Sequence, residues 1–276
     1  MKDICIIPTH ERPEFLWLTL EKIQAAVSRE NIEFWICEDV HEEKSSQLQD
    51  EIAYVVNHAA AILGAKHFQT WHTNQGSSYN VLTSFQKACD TDAKFVFFIE
   101  DDVRVTKDFF RFCYAAQEEF NPFFVTGNCP TNVKNRRPES VFLSGTWGQT
   151  FAMCFQRTKL QDMLKPDYSD YAILPTAEWD NYLLRHMLHT GQFCACACLQ
   201  RGYHFGFHSY HAGKSFLTGD LQQRISQTRA ILENPQAAGL EKNAYQVSQL
   251  GVSFPTTDPQ WTTLRKAGST VRHLNA

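Results

Sequence analysis

Three consecutive carboxylates follow the most β-like run of the sequence. Glu100, Asp101 and Asp102 come directly after the apolar residues 95–99 (FVFFI), so a buried strand would deliver all three to one loop. Their mutual repulsion requires a cation, and Mg²⁺ or Mn²⁺ held by one or two carboxylates also takes phosphate oxygens as ligands. An acidic turn capping the helix that begins near Lys107 is the alternative, but three carboxylates exceed what a cap requires. The pattern predicts a divalent-metal site for a phosphorylated ligand.

Two earlier apolar runs are also followed by polar clusters. The first leads to Arg12 in the segment HERP, and the second leads to Asp39 and His41. In an open α/β sheet, ligands bind outside the carboxyl ends of the strands, so these clusters and the carboxylates are expected at one edge. A surface arginine and an Asx turn at Asp39 are the alternatives. The sequence contains neither GxxxxGK[ST] nor GxGxxG, which favours phosphates held through a metal.

The elements that must position these residues alternate between strand and helix. Hydrophobic periodicity predicts strands over 4–7, 34–37, 66–71, 95–99, 123–127, 151–155 and 194–198. The first four are each followed by a helical pattern, and later helices are predicted over 178–189 and 220–233. This alternation predicts an α/β fold with a mostly parallel sheet and helices on both faces.

Composition sets the limits on this prediction. The 276 residues are 43% hydrophobic and 20% charged, which supplies a buried core and excludes a disordered or fibrous chain. The net charge of −4 disfavours a nucleic-acid partner without excluding it. Nine cysteines without a repeated CxxC spacing favour core thiols in a reducing compartment. No apolar run approaches the ~20 residues of a membrane span, so we expect a cytoplasmic protein with no membrane partner.

Five segments resemble a known family. They are PTHERPEFLWLTLEKI, ICEDVHEE, FVFFIEDDVRVTKDFFRF, WGQTFAMCF and AEWDNYLLR, and they occur in the order seen in metal-dependent GT-A glycosyltransferases. The sequence is most similar to the inverting N-acetylglucosaminyltransferase I family, over residues 3–217. The resemblance implies one large GT-A (Rossmann-like) domain with a C-terminal helical appendage. Residues 1–125 would bind the nucleotide-sugar, 126–217 would form the acceptor-binding and catalytic half, and 218–276 would form the last helix and tail.

The resemblance also implies a role for each matching residue. Asp102 would coordinate the metal and through it the donor diphosphate, with His211 or His208 as a late histidine ligand. Asp180 would be the general base, with Glu178 as the second candidate, although both could simply be first-turn acids of a helix. Donor and nucleotide contacts are implied for Thr9, Arg12, Asp39, His41, Asn74, Gly76, Glu100, Asp101, Trp147, Gly148 and Lys214.

The function predicted from these residues is inverting transfer of a sugar from a UDP-sugar to an acceptor hydroxyl, with Mn²⁺ or Mg²⁺ on the diphosphate. The acceptor stays open among a glycan, a protein, a metabolite and a hydroxymethylated DNA base. The alternative is a nucleotidyltransferase or other metal-nucleotide enzyme, which also uses carboxylates at strand ends. A binding module without activity is a third hypothesis.

Overall fold

A computed structural model describes residues 2–27, 31–39, 45–69, 76–128, 137–145, 148–165, 179–206, 217–233 and 265–269. The strands within these ranges are β1 (Asp3–Thr9), β2 (Ile32–Glu38), β3 (Lys66–Gln69), β4 (Phe95–Ile99), β5 (Val103–Val105), β6 (Phe124–Thr126), β7 (Ser140–Ser144), β8 (Ala152–Gln156), β9 (Cys194–Ala197), β10 (Gly202–His204) and β11 (Arg265–Ser269). The helices are α1 (Pro13–Ala26), α2 (Ser46–Leu63), α3 (Ser77–Cys89), α4 (Phe109–Phe120), α5 (Arg157–Leu164), α6 (Trp179–His189) and α7 (Leu221–Glu233).

Nine of these strands form one sheet in the order β11-β7-β9-β6-β8-β4-β1-β2-β3. Strands β4, β1, β2 and β3 pair in parallel, as do β6 with β9 and β7 with β11. Strand β8 runs antiparallel to both of its neighbours, and β7 runs antiparallel to β9. The sheet is therefore mixed but mostly parallel, as the strand–helix alternation predicts.

Strand β4 is an interior strand of the large sheet, and side chains cover both of its faces. All five of its residues are buried. Phe97 packs on one face against Phe110 of α4, with ring centroids 5.0 Å apart. Phe98 packs on the other face against Phe85 of α3 at 5.4 Å and Trp179 of α6 at 4.8 Å. Helices thus cover both faces of the sheet, and a continuous apolar run is the expected sequence of such a strand.

Strands β5 and β10 form a separate two-stranded antiparallel sheet beyond the end of β4. The sequence pattern does not predict this sheet, because strands of three residues are too short to show a periodicity of two. Strand β11 pairs in parallel with β7 at the end of the large sheet, although its residues (RKAGS) form no apolar run. Such an edge strand is held by backbone pairing, which leaves little trace in the hydrophobic pattern.

The eight cysteines within the described ranges are buried free thiols, which confirms their interpretation as core residues. The sulfur atoms of Cys194 and Cys196 lie 3.7 Å apart on β9. Among the helices that the structure describes, none combines the length and the apolar character that crossing a membrane requires.

Candidate functional site

The carboxyl ends of β2, β1 and β4 meet at one edge of the sheet, and each carries a predicted site residue. Asp39, just after β2, donates its backbone N–H to the Thr9 carbonyl oxygen at 3.0 Å. Thr9, the last residue of β1, donates its hydroxyl to Asp101 Oδ2 at 3.0 Å. All three residues are buried. The structure therefore brings together the three strand ends that the sequence pattern predicts at one edge.

Arg12 contacts the carboxylates directly. It occupies the cap position before α1, and its guanidinium donates to Asp101 Oδ1 and to Asp102 Oδ2, both at 2.5 Å. Burial alone would lower the pKa of Arg12, but the charges of Asp101 and Asp102 raise it above its ordinary value. A permanent positive charge thus offsets part of the negative charge of the loop. The side chain remains 22% exposed, so the guanidinium also borders solvent.

His204 lies against the same carboxylates. Strand β10 pairs with β5 so that His204 is opposite Val103, the residue after Asp102. Its Nε2 atom lies 3.2 Å from Asp102 Oδ2. Burial lowers the pKa of His204, but the charge of Asp102 and the hydrogen bond to it raise that pKa to about 9. The imidazole is therefore protonated at neutral pH when no metal is bound.

Glu100, Asp102 and His204 have the spacing of metal ligands. One potential ligand atom from each lies within 4.8 Å of the others. Asp102 Oδ1 is buried and accepts no hydrogen bond within the part of the chain that the structure describes, so this acceptor is left for a further donor or cation. Two carboxylates and an imidazole are donors that divalent cations take. The residues present therefore fit a divalent metal.

The surroundings of the two carboxyl groups shift their pKa values in opposite directions. Desolvation and the charge of Asp102 raise the pKa of Glu100 to about 7. Burial also favours the neutral form of Asp102, but Arg12 and His204 outweigh it and hold that pKa well below its usual range. Titratable groups whose environments separate their pKa values in this way are characteristic of functional sites.

The backbone around the carboxylates is held from two directions. The Asp101 carbonyl oxygen accepts a hydrogen bond from the Thr19 hydroxyl of α1 at 2.7 Å. The Asp102 carbonyl oxygen accepts one from the Phe205 N–H at 2.9 Å. Gly206 follows, and a Cβ atom there would overlap Asp102 Oδ2. A residue without a side chain is needed at this position for the chain to pass so close to the carboxylate.

The start of α6 carries the predicted base, Asp180. The backbone N–H of Trp179 donates to Ser78 Oγ at 3.1 Å, which joins the first turn of α6 to that of α3. Since α3 begins beyond the carboxyl end of β3, Asp180 lies at the edge of the sheet where the carboxyl ends of the parallel strands lie. It is half-buried, and its carboxylate accepts a hydrogen bond from the Asn181 N–H at 2.8 Å.

The two predicted glycines occupy different environments. Gly76 precedes α3 with φ of 89°, a backbone conformation that favours glycine. Gly148 is buried, and a Cβ atom there would lie 2.6 Å from Phe124 and 2.9 Å from Cys194. The close approach at Gly148 is therefore to core side chains.

Seven predicted site residues lie outside the described residues, and their roles stay predictions. They are His41, Asn74, Trp147, Glu178, His208, His211 and Lys214. The family resemblance implies His211 and then His208 as the histidine ligand, whereas the structure brings His204 of the same segment to Asp102. The signal for His204 is the pairing of β10 with β5, which joins residues about 100 positions apart in the sequence and is not visible as a local pattern.

Comparison with solved structures relates the fold to known proteins. S. aureus TarS in complex with UDP matches with a TM-score of 0.54 and 13% identity over 74% of this chain, and S. aureus TarS in complex with UDP-GlcNAc matches with a TM-score of 0.53 and 13% identity over 85%. GalNAc-T7 with UDP, GalNAc and Mn²⁺ matches with a TM-score of 0.57 and 11% identity over 74%. This chain spans 60%, 67% and 44% of these three structures, respectively.

At this level of identity the likeness shows the fold, which is the GT-A fold. The predicted fold class is confirmed, whereas the closer resemblance to the N-acetylglucosaminyltransferase I family stays a prediction. No protein-family model matches the sequence, and no curated protein matches it either.

Proposed function

We propose that this protein is an inverting, metal-dependent glycosyltransferase that moves a sugar from a UDP-sugar to an acceptor hydroxyl. The observation that carries the proposal is the cluster of Glu100, Asp102 and His204 at the carboxyl ends of β1, β2 and β4. This is the edge at which open α/β sheets bind their ligands. The proposal is supported by the fold, which resembles structures solved with UDP, with UDP-GlcNAc and with UDP, GalNAc and Mn²⁺.

Glu100, Asp102 and His204 would hold Mn²⁺ or Mg²⁺. When bound, such an ion would supply Lewis-acid stabilisation of the negative charge on the leaving diphosphate. His204 must first lose the proton that Asp102 stabilises, because only the neutral imidazole is a metal ligand. Glu100, with its pKa of about 7, must also be ionised.

The nucleotide would lie along the ends of β1 and β2. The buried carboxylate of Asp39 would accept the imide N–H of uracil, a hydrogen bond that a carboxylate oxygen can accept from the edge of the base. Arg12 has more N–H donors than the two that contact Asp101 and Asp102, and its solvent-bordering side would bind an oxygen of the diphosphate. Asp101, held by Thr9 and Arg12, would contact the ribose or the donor sugar.

Asp180 would act as the general base. Its position in the first turn of α6 favours the ionised form, because the positive end of the helix dipole stabilises a carboxylate. It would accept the proton of the acceptor hydroxyl while that oxygen bonds to the anomeric carbon and the bond to the diphosphate breaks on the opposite face. Attack from the opposite face inverts the anomeric configuration. Glu178 is the second candidate for this role.

The acceptor class stays open among glycans, proteins, metabolites and hydroxymethylated DNA bases, although a net charge of −4 disfavours nucleic acid. Hydrolysis of the donor tests the proposal without an acceptor. We expect slow release of UDP from at least one of UDP-GlcNAc, UDP-glucose and UDP-galactose with Mn²⁺. This release should disappear in Asp102→Asn and persist in Asp92→Asn, which changes an exposed carboxylate away from the site.

Two results would contradict the proposal. One is equal UDP release by wild type and Asp102→Asn. The other is release of pyrophosphate from nucleoside triphosphates with no reaction of UDP-sugars, which would support the nucleotidyltransferase alternative.

A further inference from the structure

The small sheet of β5 and β10 determines where His204 lies. Gly202 pairs with Val105 and His204 pairs with Val103, so the register sets the imidazole beside Asp102. A shift of one residue would turn the His204 side chain to the opposite face of the sheet. Two strands of three residues form too few hydrogen bonds to fix this register by themselves. Another part of the molecule must therefore hold it.

Arg201, immediately before β10, is fully buried, and its side chain forms hydrogen bonds to two other segments as well as within its own. Its Nε donates to Asp108 Oδ2 at 2.8 Å, and one terminal nitrogen donates to the Pro138 carbonyl oxygen at 2.8 Å. The other terminal nitrogen donates to the Leu199 carbonyl oxygen at 3.1 Å, and the guanidinium lies over the Phe112 ring at 4.1 Å from its centroid. The side chain thereby links β10 to the loop after β5 and to the segment before β7.

The backbone of Arg201 strengthens the same connection. Its N–H donates to the Gly127 carbonyl oxygen at 2.6 Å, and its carbonyl oxygen accepts the Thr106 N–H at 3.0 Å. Thr106 in turn donates its hydroxyl to Asp108 Oδ1 at 2.6 Å. Asp108 thus receives both the Arg201 guanidinium and the Thr106 hydroxyl, and these contacts close the end of the β5–β10 sheet remote from Asp102.

A buried ion pair is weak evidence for a contribution to stability. Apolar residues of similar volume often replace such a pair without loss of stability, because removing two charges from water costs as much as their attraction returns. Its distinguishing property is geometric, since a planar guanidinium with several fixed partners permits one arrangement of the segments. Burial lowers the pKa of Arg201, and the charge of Asp108 opposes this shift. The ion pair therefore favours the charged form of the buried guanidinium.

We propose that Arg201 and Asp108 are positioning residues that hold β10 in register with β5 and so keep His204 against Asp102. The inference rests on the proposed function in so far as that geometry serves a metal. Neither Arg201 nor Asp108 is among the ligand atoms of the metal cluster, and they act through the strand that carries His204. Residues that orient metal ligands typically change metal affinity by about 10- to 100-fold when they are mutated.

The test uses the full chain and Mn²⁺ alone as the probe. Arg201→Lys keeps the charge but loses the forked contacts to Asp108, Pro138 and Leu199. The matched control is Arg224→Gln, which removes an arginine whose ion pairs within the described residues are with Glu14 of α1 and Glu51 of α2 rather than with β5 or β10. Free Mn²⁺ is measured by electron paramagnetic resonance, and hydrogen exchange of the Thr106 and Phe205 amides is measured on the metal-free protein.

We expect Arg201→Lys to weaken Mn²⁺ binding about tenfold or more and to accelerate exchange of both amides, while Arg224→Gln changes neither. Should Arg201→Lys fail to fold, Thr106→Val removes only the hydroxyl contact to Asp108, and a loss of about twofold to tenfold in Mn²⁺ affinity is expected. Unchanged amide exchange, or faster exchange with wild-type Mn²⁺ affinity, would overturn the positioning role. Absence of Mn²⁺ binding by the wild type would instead count against the proposed metal, and amide exchange alone would then decide whether the pair holds the register.

Discussion

Substitution of Gly206 by alanine tests whether the approach of the chain to Asp102 is needed for the metal site. A Cβ atom at Gly206 would overlap Asp102 Oδ2 and lie 3.0 Å from Asp102 Cγ and 3.1 Å from His204 Cε1. The methyl group would therefore contact two of the three proposed ligands. Relief of the overlap requires the Asp102 carboxylate to turn away, or the segment after β10 to move off it.

The expected loss of Mn²⁺ affinity follows from how little the metal–ligand distances vary in metal sites. Ligand distances vary by only about 0.2 Å in well-formed sites. Relief of the overlap calls for a shift of about 1 Å, and a misplacement of that size can reduce a reaction rate about 100-fold. We therefore expect Gly206→Ala to bind Mn²⁺ at least tenfold more weakly, which corresponds to about 1.4 kcal/mol. Donor hydrolysis should fall about 100-fold.

Gly64→Ala provides the control for general destabilisation. Gly64 ends α2 with φ of 64°, and a Cβ atom there would meet nothing within 4 Å. Alanine in this conformation costs about 1 kcal/mol of stability, with no contact to the site. Mn²⁺ affinity and the thermal midpoint are measured for both variants. Wild-type affinity in Gly206→Ala, or an equal loss of affinity in Gly64→Ala, would refute the reasoning.

Protonation and base catalysis provide further tests. Although burial lowers the pKa of His204, Asp102 raises it to about 9, and burial raises the pKa of Glu100 to about 7. Both groups must lose a proton to bind the metal, so Mn²⁺ affinity should increase from pH 7 to pH 9. An affinity that does not change with pH would contradict this. In the metal-free protein, the His204–Asp102 pair makes its whole contribution to stability below pH 6.5, the ordinary pKa of histidine. This contribution is lost as the pH rises through 9, the pKa of His204 in the folded protein. The urea midpoint should fall over that interval in wild type more than in His204→Gln. Asp180→Asn should abolish sugar transfer but leave UDP affinity unchanged, and transfer at the wild-type rate would exclude Asp180 as the base.

The parts of the fold that could be predicted are those with long local patterns. The run FVFFI predicts β4 with the bounds that the structure has, because a strand buried on both faces needs continuous apolar residues. Pro13 is the first residue of α1, where its fixed φ suits a helix start. The carboxylates after β4 and Asp39 after β2 could be assigned to one edge because parallel strands end together.

Contacts between distant segments could not be predicted from local patterns. The family resemblance implies that Arg12 contacts the nucleotide donor, and the structure pairs it with Asp101 and Asp102, about 90 positions along the chain. The burial of Arg201 has no hydrophobic signature, since arginine is mostly a surface residue. His204 reaches Asp102 only through the pairing of two very short strands. Each of these features depends on tertiary packing, which one sequence does not display.

Binding of UDP in the presence and absence of Mn²⁺, measured by calorimetry on wild type and Asp102→Asn, tests the central claim most directly. We propose that the strand-end carboxylates would hold a metal and that uridine diphosphate would bind through it. We expect wild type to bind UDP much more tightly with Mn²⁺ than without it, and Asp102→Asn to lose this dependence while Asp92→Asn keeps it. UDP affinity that is the same with and without Mn²⁺, or a metal effect that survives in Asp102→Asn, would contradict the account.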